Sequence, residues 1–124
     1  LFGGAMRQAG IVAAAGIYAL DHNVERIADD HARAHRLAEG WAAAGLPVDP
    51  AQTETNFVQI DLAPFGLTGR DAEALAAAEG IGISDTVHPT ILRAVVHLDI
   101  SDDDIERAIE AVPRALGARA RVGA

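Results

Sequence analysis

Arg93 is a permanent cation in the middle of an apolar run, Ile91-Leu92-Arg93-Ala94-Val95-Val96. A charge in such a strand needs a partner, because ionised side chains are rarely buried alone. Two partners fit: an internal carboxylate from one of the 18 acidic side chains, or a ligand carboxylate gripped by the planar guanidinium fork. Composition leaves both open. Gly3 and Gly4 ahead of a helix, with Arg7 just beyond, are a weak form of the backbone cradle that receives phosphate. His31 and His35 stand four apart, a spacing that puts two imidazoles on one helix face. No glutamate follows the first of them and no third ligand is near, so a structural role is favoured over a metal. His22 and His88 read as helix-end or loop residues. Asp102, Asp103 and Asp104 lack the spaced ligands and glycine of a calcium loop, and their place at a helix start explains them through the dipole. All ten basic side chains are arginine and none is lysine. A guanidinium stays protonated and forms no imine, so chemistry that needs a side-chain imine must take its amine from elsewhere.

The 124 residues suit one domain able to bury roughly two thirds of the surface its unfolded chain exposes. Aromatics are scarce (Trp41, Tyr18 and three phenylalanines), so the core must come from Ala, Leu, Ile and Val. A net charge of −8 repels phosphate backbones and anionic lipid, which argues against nucleic acid and membrane surfaces as partners. There is no cysteine, hence no disulfide framework or thiolate metal site. The longest apolar run, Ile11 to Leu20, is ten residues, against about 20 for a membrane span. No basic segment with a small-residue cleavage site precedes it. These features predict a soluble globular protein, with the cytoplasm as the expected compartment. The opening on Leu1 fits a fragment or a processed product equally.

The elements that would position these residues follow from periodicity. Met6 to about His22 reads as a helix that is apolar on nearly every side and must be covered all round. Asn23 is a candidate N-cap for a second helix, Val24 to about Ala44, with small or apolar residues at 24, 27, 28, 34, 38, 41 and 42, ended by Gly45-Leu46-Pro47. After a polar connection, Asn56 to Leu62 alternates, with Val58, Ile60 and Leu62 on one face. Thr68 and Asp71 resemble a capping box opening a third helix, Asp71 to Glu79, closed by Gly80. Ile81 to Ser84 is a short strand. Ile91 to Leu98 is another, setting Leu92, Ala94, Val96 and Leu98 against a face shared by Arg93 and His97. Ser101 caps the last helix, which Pro113 should kink or break before Arg114, and the tail after Gly117 should fray.

The resulting fold class is α+β: a small two-layer domain with a roughly three-stranded, mainly antiparallel sheet covered by helices, preceded by a long apolar linker helix. Two layers leave one side of that first helix wet. A further layer, another domain or a partner subunit, is therefore expected to pack on it. The division this suggests is residues 1–22 as a connecting helix and 23–124 as a small α+β domain.

Three stretches carry a family resemblance. Gly3 to Gly40 (GGAMRQAGIVAAAGIYALDHNVERIADDHARAHRLAEG) resembles the segment leading into the C-terminal domain of low-specificity L-threonine aldolases, where the usual pattern is GGGMRQ, a small-residue helix and an NxVERLxEDH helix. Thr55 to Leu62 (TNFVQIDL) and Arg93 to Asp99 (RAVVHLD) resemble, in order, that family's TN-plus-strand element and its RLVTHLD strand. The resemblance implies the C-terminal portion of a fold-type I pyridoxal phosphate (PLP) enzyme, a homo-oligomer with active sites between subunits. Such an enzyme cleaves a threonine-like β-hydroxy-α-amino acid to glycine and an aldehyde.

By the same resemblance Arg93 matches the strand arginine that binds the substrate carboxylate, and Arg7 the MRQ arginine near the cofactor end of the site. His97 matches the strand histidine, and a structural role suits it because it lies about 13 Å farther along an extended strand than Arg93. No catalytic residue and no metal site is assigned. The cofactor lysine would belong to an N-terminal PLP-binding domain, so the chain alone should be inactive and bind no cofactor covalently. Ala5 in place of a glycine, Val96 in place of a threonine, and Ser84 to Thr90 without glycines depart from the pattern and bear on cofactor-side geometry and substrate fit. The alternative is a non-catalytic remnant that uses the apolar face of residues 11 to 20 to dimerise or bind a partner.

Overall fold

Alternation along the middle of the chain separates a dry face from a wet one. Val58, Ile60 and Leu62 are fully buried, whereas Phe57, Gln59 and Asp61 are exposed. The computed structural model describes residues 6–117. Gly3, Gly4, Ala5 and the tail after Gly117 lie outside them. The strands are β1 (Phe57–Asp61), β2 (Ser84–Asp85) and β3 (Ile91–Val95), and the helices are α1 (Gly10–His22), α2 (Ile27–Ala43), α3 (Gly69–Ala78) and α4 (Asp102–Ala115). The sheet order is β1-β3-β2, antiparallel throughout. Leu92, Ala94 and Val96 join the buried residues of β1, and this face packs on Leu37 and Trp41 of α2, Ala72 and Ala76 of α3, and Ile105, Ala108 and Val112 of α4. The fold is therefore the expected α+β arrangement, with helices over one sheet face.

Local chemistry fixes the helix positions. Thr68 with Asp71, and Ser101 with Asp104, form reciprocal capping boxes that satisfy main-chain donors at the starts of α3 and α4. The Trp41 indole donates to the Ala108 carbonyl at 2.9 Å, tying α2 to α4 inside the core. Gly40 lets the same helices approach closely: a Cβ there would stand 2.6 Å from Ile109 Cδ1.

Several expectations are corrected. Asn23 does not cap the second helix; its N–H bonds the Ala19 carbonyl and so closes α1, and α2 starts at Ile27 with no side-chain cap. Val24, Ile27 and Ala28 are exposed because burial on α2 begins only at Asp30, which Arg26 grips through two hydrogen bonds of 2.7 and 3.1 Å. The short strand is Ser84–Asp85 rather than Ile81 to Ser84, since β3 is paired on that side only at Leu92 and Arg93. β3 ends at Val95; the Val96 N–H still reaches the Asn56 carbonyl, but Leu98 lies in the turn beyond and is exposed. His97 therefore shares no strand face with Arg93. Pro113 does not break α4, which continues to Ala115. Its position two residues from the helix end forfeits a single main-chain bond, and its ring is buried.

α1 differs from the other helices. All thirteen of its residues are exposed, including Ile11 (84%) and Leu20 (71%). Tyr18 and His22 stack on each other at 4.1 Å between ring centroids, and the Tyr18 carbonyl lies 2.8 Å from His22 Nδ1.

Candidate functional site

The sheet face turned away from the helices carries Arg93. As the centre of the middle strand, it lies opposite Gln59 of β1 and Ser84 of β2, which holds its backbone from both sides. Its side chain is half-buried. The guanidinium carbon sits 5.2 Å from the centre of the Phe57 ring. The Nε is closed off from solvent and has no hydrogen-bond partner.

Seven pairings of oppositely charged side chains occur among the described residues, counting two made by histidines, and Arg93 is in none of them. The internal carboxylate that the sequence allowed for Arg93 is thus not among those residues. Arg7 and Arg70 are also outside these pairs, but both are exposed, where water solvates and salt screens the charge. Arg93 alone combines partial burial with an unmatched charge among the described arginines, the arrangement expected of an anion anchor. Arg7 lies in the turn before α1, and no hydrogen bond or ion pair ties it to β3.

The remaining candidates have local roles. His97 Nδ1 accepts the Asp99 N–H at 3.3 Å, and His88 bonds within the Thr86–Thr90 turn. His31 and His35 are exposed, and Glu39 lies 3.4 Å from His35. No group of three potential metal ligands gathers among the described residues. Asp102 bonds Arg33 at 2.6 Å, raising the already high pKa of that guanidinium. The Ser101 hydroxyl, then its N–H and the nearby Arg107, hold the Asp104 carboxyl below the ordinary aspartate value. The Thr68 hydroxyl and N–H do the same for Asp71. These acids serve helix starts and surface pairs.

Phe57 is the site residue that sequence reasoning did not single out; its contact with Arg93 appears only once the strand register is known. It also forms one wall of a recess of about 270 Å³, together with Gln52, Thr53, Thr55 and Gln59. A PLP aldehyde finds no lysine in this sequence, so these residues do not fit covalent attachment of that cofactor. The chemistry they do support is non-covalent recognition of a carboxylate.

The family model for beta-eliminating lyases matches residues 1–63, more than half of the 124. The chain belongs to the beta-eliminating lyase family. Among its relatives within known lyases, it is 39% identical over 106 residues to a probable low-specificity L-threonine aldolase 2 of Arabidopsis thaliana. It is 37% identical over 105 residues to the low specificity L-threonine aldolase of Escherichia coli strain K12. These alignments take in 84% and 83% of this lyase-family chain but 30% and 29% of the relatives. The low-specificity L-threonine aldolase 1 of Arabidopsis thaliana matches 92% of the chain at 30% identity and is itself covered over 32% of its length. The lyase-family chain thus spans about three tenths of the length of these proteins.

Proposed function

We propose that this chain supplies the substrate-carboxylate anchor of a PLP-dependent carbon–carbon lyase that cleaves a threonine-like β-hydroxy-α-amino acid to glycine and an aldehyde. The observation that carries the proposal is Arg93, a half-buried cation with no acidic partner among the described residues, displayed on a central strand. Its role is to bind and orient the substrate carboxylate. Arg7 serves the cofactor end of the same site. Residues 1–22 connect to a larger domain that brings the Schiff-base lysine, and residues 23–124 are the small domain. The exposed side chains of α1 would be covered by that domain and by a second subunit of a cytoplasmic homo-oligomer.

The test uses the product of the whole reading frame that contains these residues, loaded with PLP and assayed for acetaldehyde release from L-threonine. Two charge-assisted hydrogen bonds to a carboxylate correspond to about 3 kcal/mol, so Arg93→Gln should lower kcat/KM on the order of 100-fold. An unchanged kcat/KM in Arg93→Gln refutes the anchor. Residues 1–124 alone, given PLP and L-threonine, should release no acetaldehyde, and turnover by them would refute the assignment of the lysine to another segment. The full exposure of α1 also favours an interaction module as the second reading. A reading frame without a lysine-bearing domain would decide for that reading.

A further inference from the structure

We infer that Phe57 is a positioning residue for Arg93 and determines which edge of the guanidinium meets a carboxylate. The inference rests on the reading of Arg93 as the carboxylate anchor. Phe57 faces Val95 across the β1–β3 ladder, and Arg93 faces Gln59, so Phe57 and Arg93 are diagonal neighbours on one sheet face. That separation is within reach of an aromatic and a long side chain. At 5.2 Å the guanidinium carbon is close enough to the ring for the ring's negative face to attract the cation.

The consequence concerns donors. A carboxylate in place of the ring would hold Arg93 too, but it would occupy N–H groups and cancel the charge. A phenyl face restrains the cation while consuming neither. Nε is shut off from solvent and unpartnered, so it is out of reach of an incoming anion. The Nη nitrogens make none of the side-chain hydrogen bonds among the described residues. A carboxylate therefore meets Arg93 end-on, through Nη1 and Nη2, in the plane that Phe57 fixes. Phe57 is 45% exposed and points away from the core, so replacing it leaves the packed face untouched.

The test is a titration of the 124-residue chain with sodium acetate at constant ionic strength, with affinity read in every variant from the backbone amides of β1 and β3 around position 93 and the contact pattern read from the nitrogen resonances of the Arg93 side chain. In the unaltered chain the Nη resonances should respond and Nε should not. Phe57→Leu should weaken the response by roughly three- to tenfold, the size of a partly desolvated cation–π contact, and should let Nε begin to respond. Phe57→Tyr should restore both the affinity and the Nη-only pattern. If Arg93→Gln removes acetate binding but Phe57→Leu changes neither affinity nor pattern, the positioning role is overturned and the anchor stands. If Arg93→Gln leaves acetate binding as it was, the anchor itself fails and the positioning role with it.

Discussion

Gly40→Ala sets two effects of similar size against each other. Alanine in a helix interior is favoured over glycine by about 1 kcal/mol. Against that, the new methyl would stand 2.6 Å from both Cδ1 and Cγ1 of Ile109 and 2.8 Å from Cγ2. Both branches of a β-branched side chain are involved, so rotation about χ1 replaces one clash with the other. Relief requires α4 to move away from α2, and overpacking of this kind costs about 1–3 kcal/mol. The clash should win, leaving Gly40→Ala less stable by about 1 kcal/mol. Urea unfolding should show this as a lower midpoint at constant slope, because the surface exposed on unfolding barely changes. In an Ile109→Ala background the same substitution should become stabilising by nearly the full helix-propensity difference. If Gly40→Ala stabilises the otherwise unaltered chain, the close approach does not set the α2–α4 spacing and the reasoning is wrong.

Trp41→Phe should destabilise by about 1–3 kcal/mol, since it removes the buried indole bond to the Ala108 carbonyl along with part of the ring; thermal unfolding measures it. Ser101→Ala should cost about 1 kcal/mol through loss of the α4 cap, again by urea midpoint. Asp71 and Asp104 are held below the ordinary aspartate value of 3.8, so their contribution is complete above that pH and is lost as pH falls through their folded-state values. Acid titration should therefore fray the starts of α3 and α4 below about pH 4, and Asp104→Asn should flatten the α4 part as followed by amide exchange. α1 should drive self-association of the isolated chain. Ile17→Glu with Leu20→Glu should shift it toward monomer in sedimentation, and a monomeric unaltered chain with slowly exchanging α1 amides would contradict the need for a covering layer.

What was legible in the sequence was local. Both helix starts with capping residues were readable because the chemistry lies within four positions, and β1 was readable because Val58, Ile60 and Leu62 repeat at the period of a strand. Arg93 was visible because a cation interrupts an apolar run. Errors arose where a neighbouring element decides the outcome. Asn23 has the chemistry of a cap, yet it closes α1, and α2 begins only at Ile27, which leaves Arg26 at the cap position. Val24 and Ile27 have core chemistry, yet the core begins one turn later. Leu98 follows the strand pattern, but pairing stops before it. Phe57 was unreadable as a site residue because its relation to Arg93 depends on how β1 and β3 align, which neither strand specifies alone.

The same alignment gives Arg93 a second consequence, for folding fidelity. If β3 formed one residue out of step, its inward and outward positions would exchange. Leu92, Ala94 and Val96 would turn to water and the guanidinium would be driven against Trp41 and Leu37. An unpaired cation in that layer is far more costly than a misplaced aliphatic. The charge displayed for an anion therefore also penalises the nearest wrong pairing, so removing it should loosen the discrimination between correct and slipped sheets even where no ligand is present.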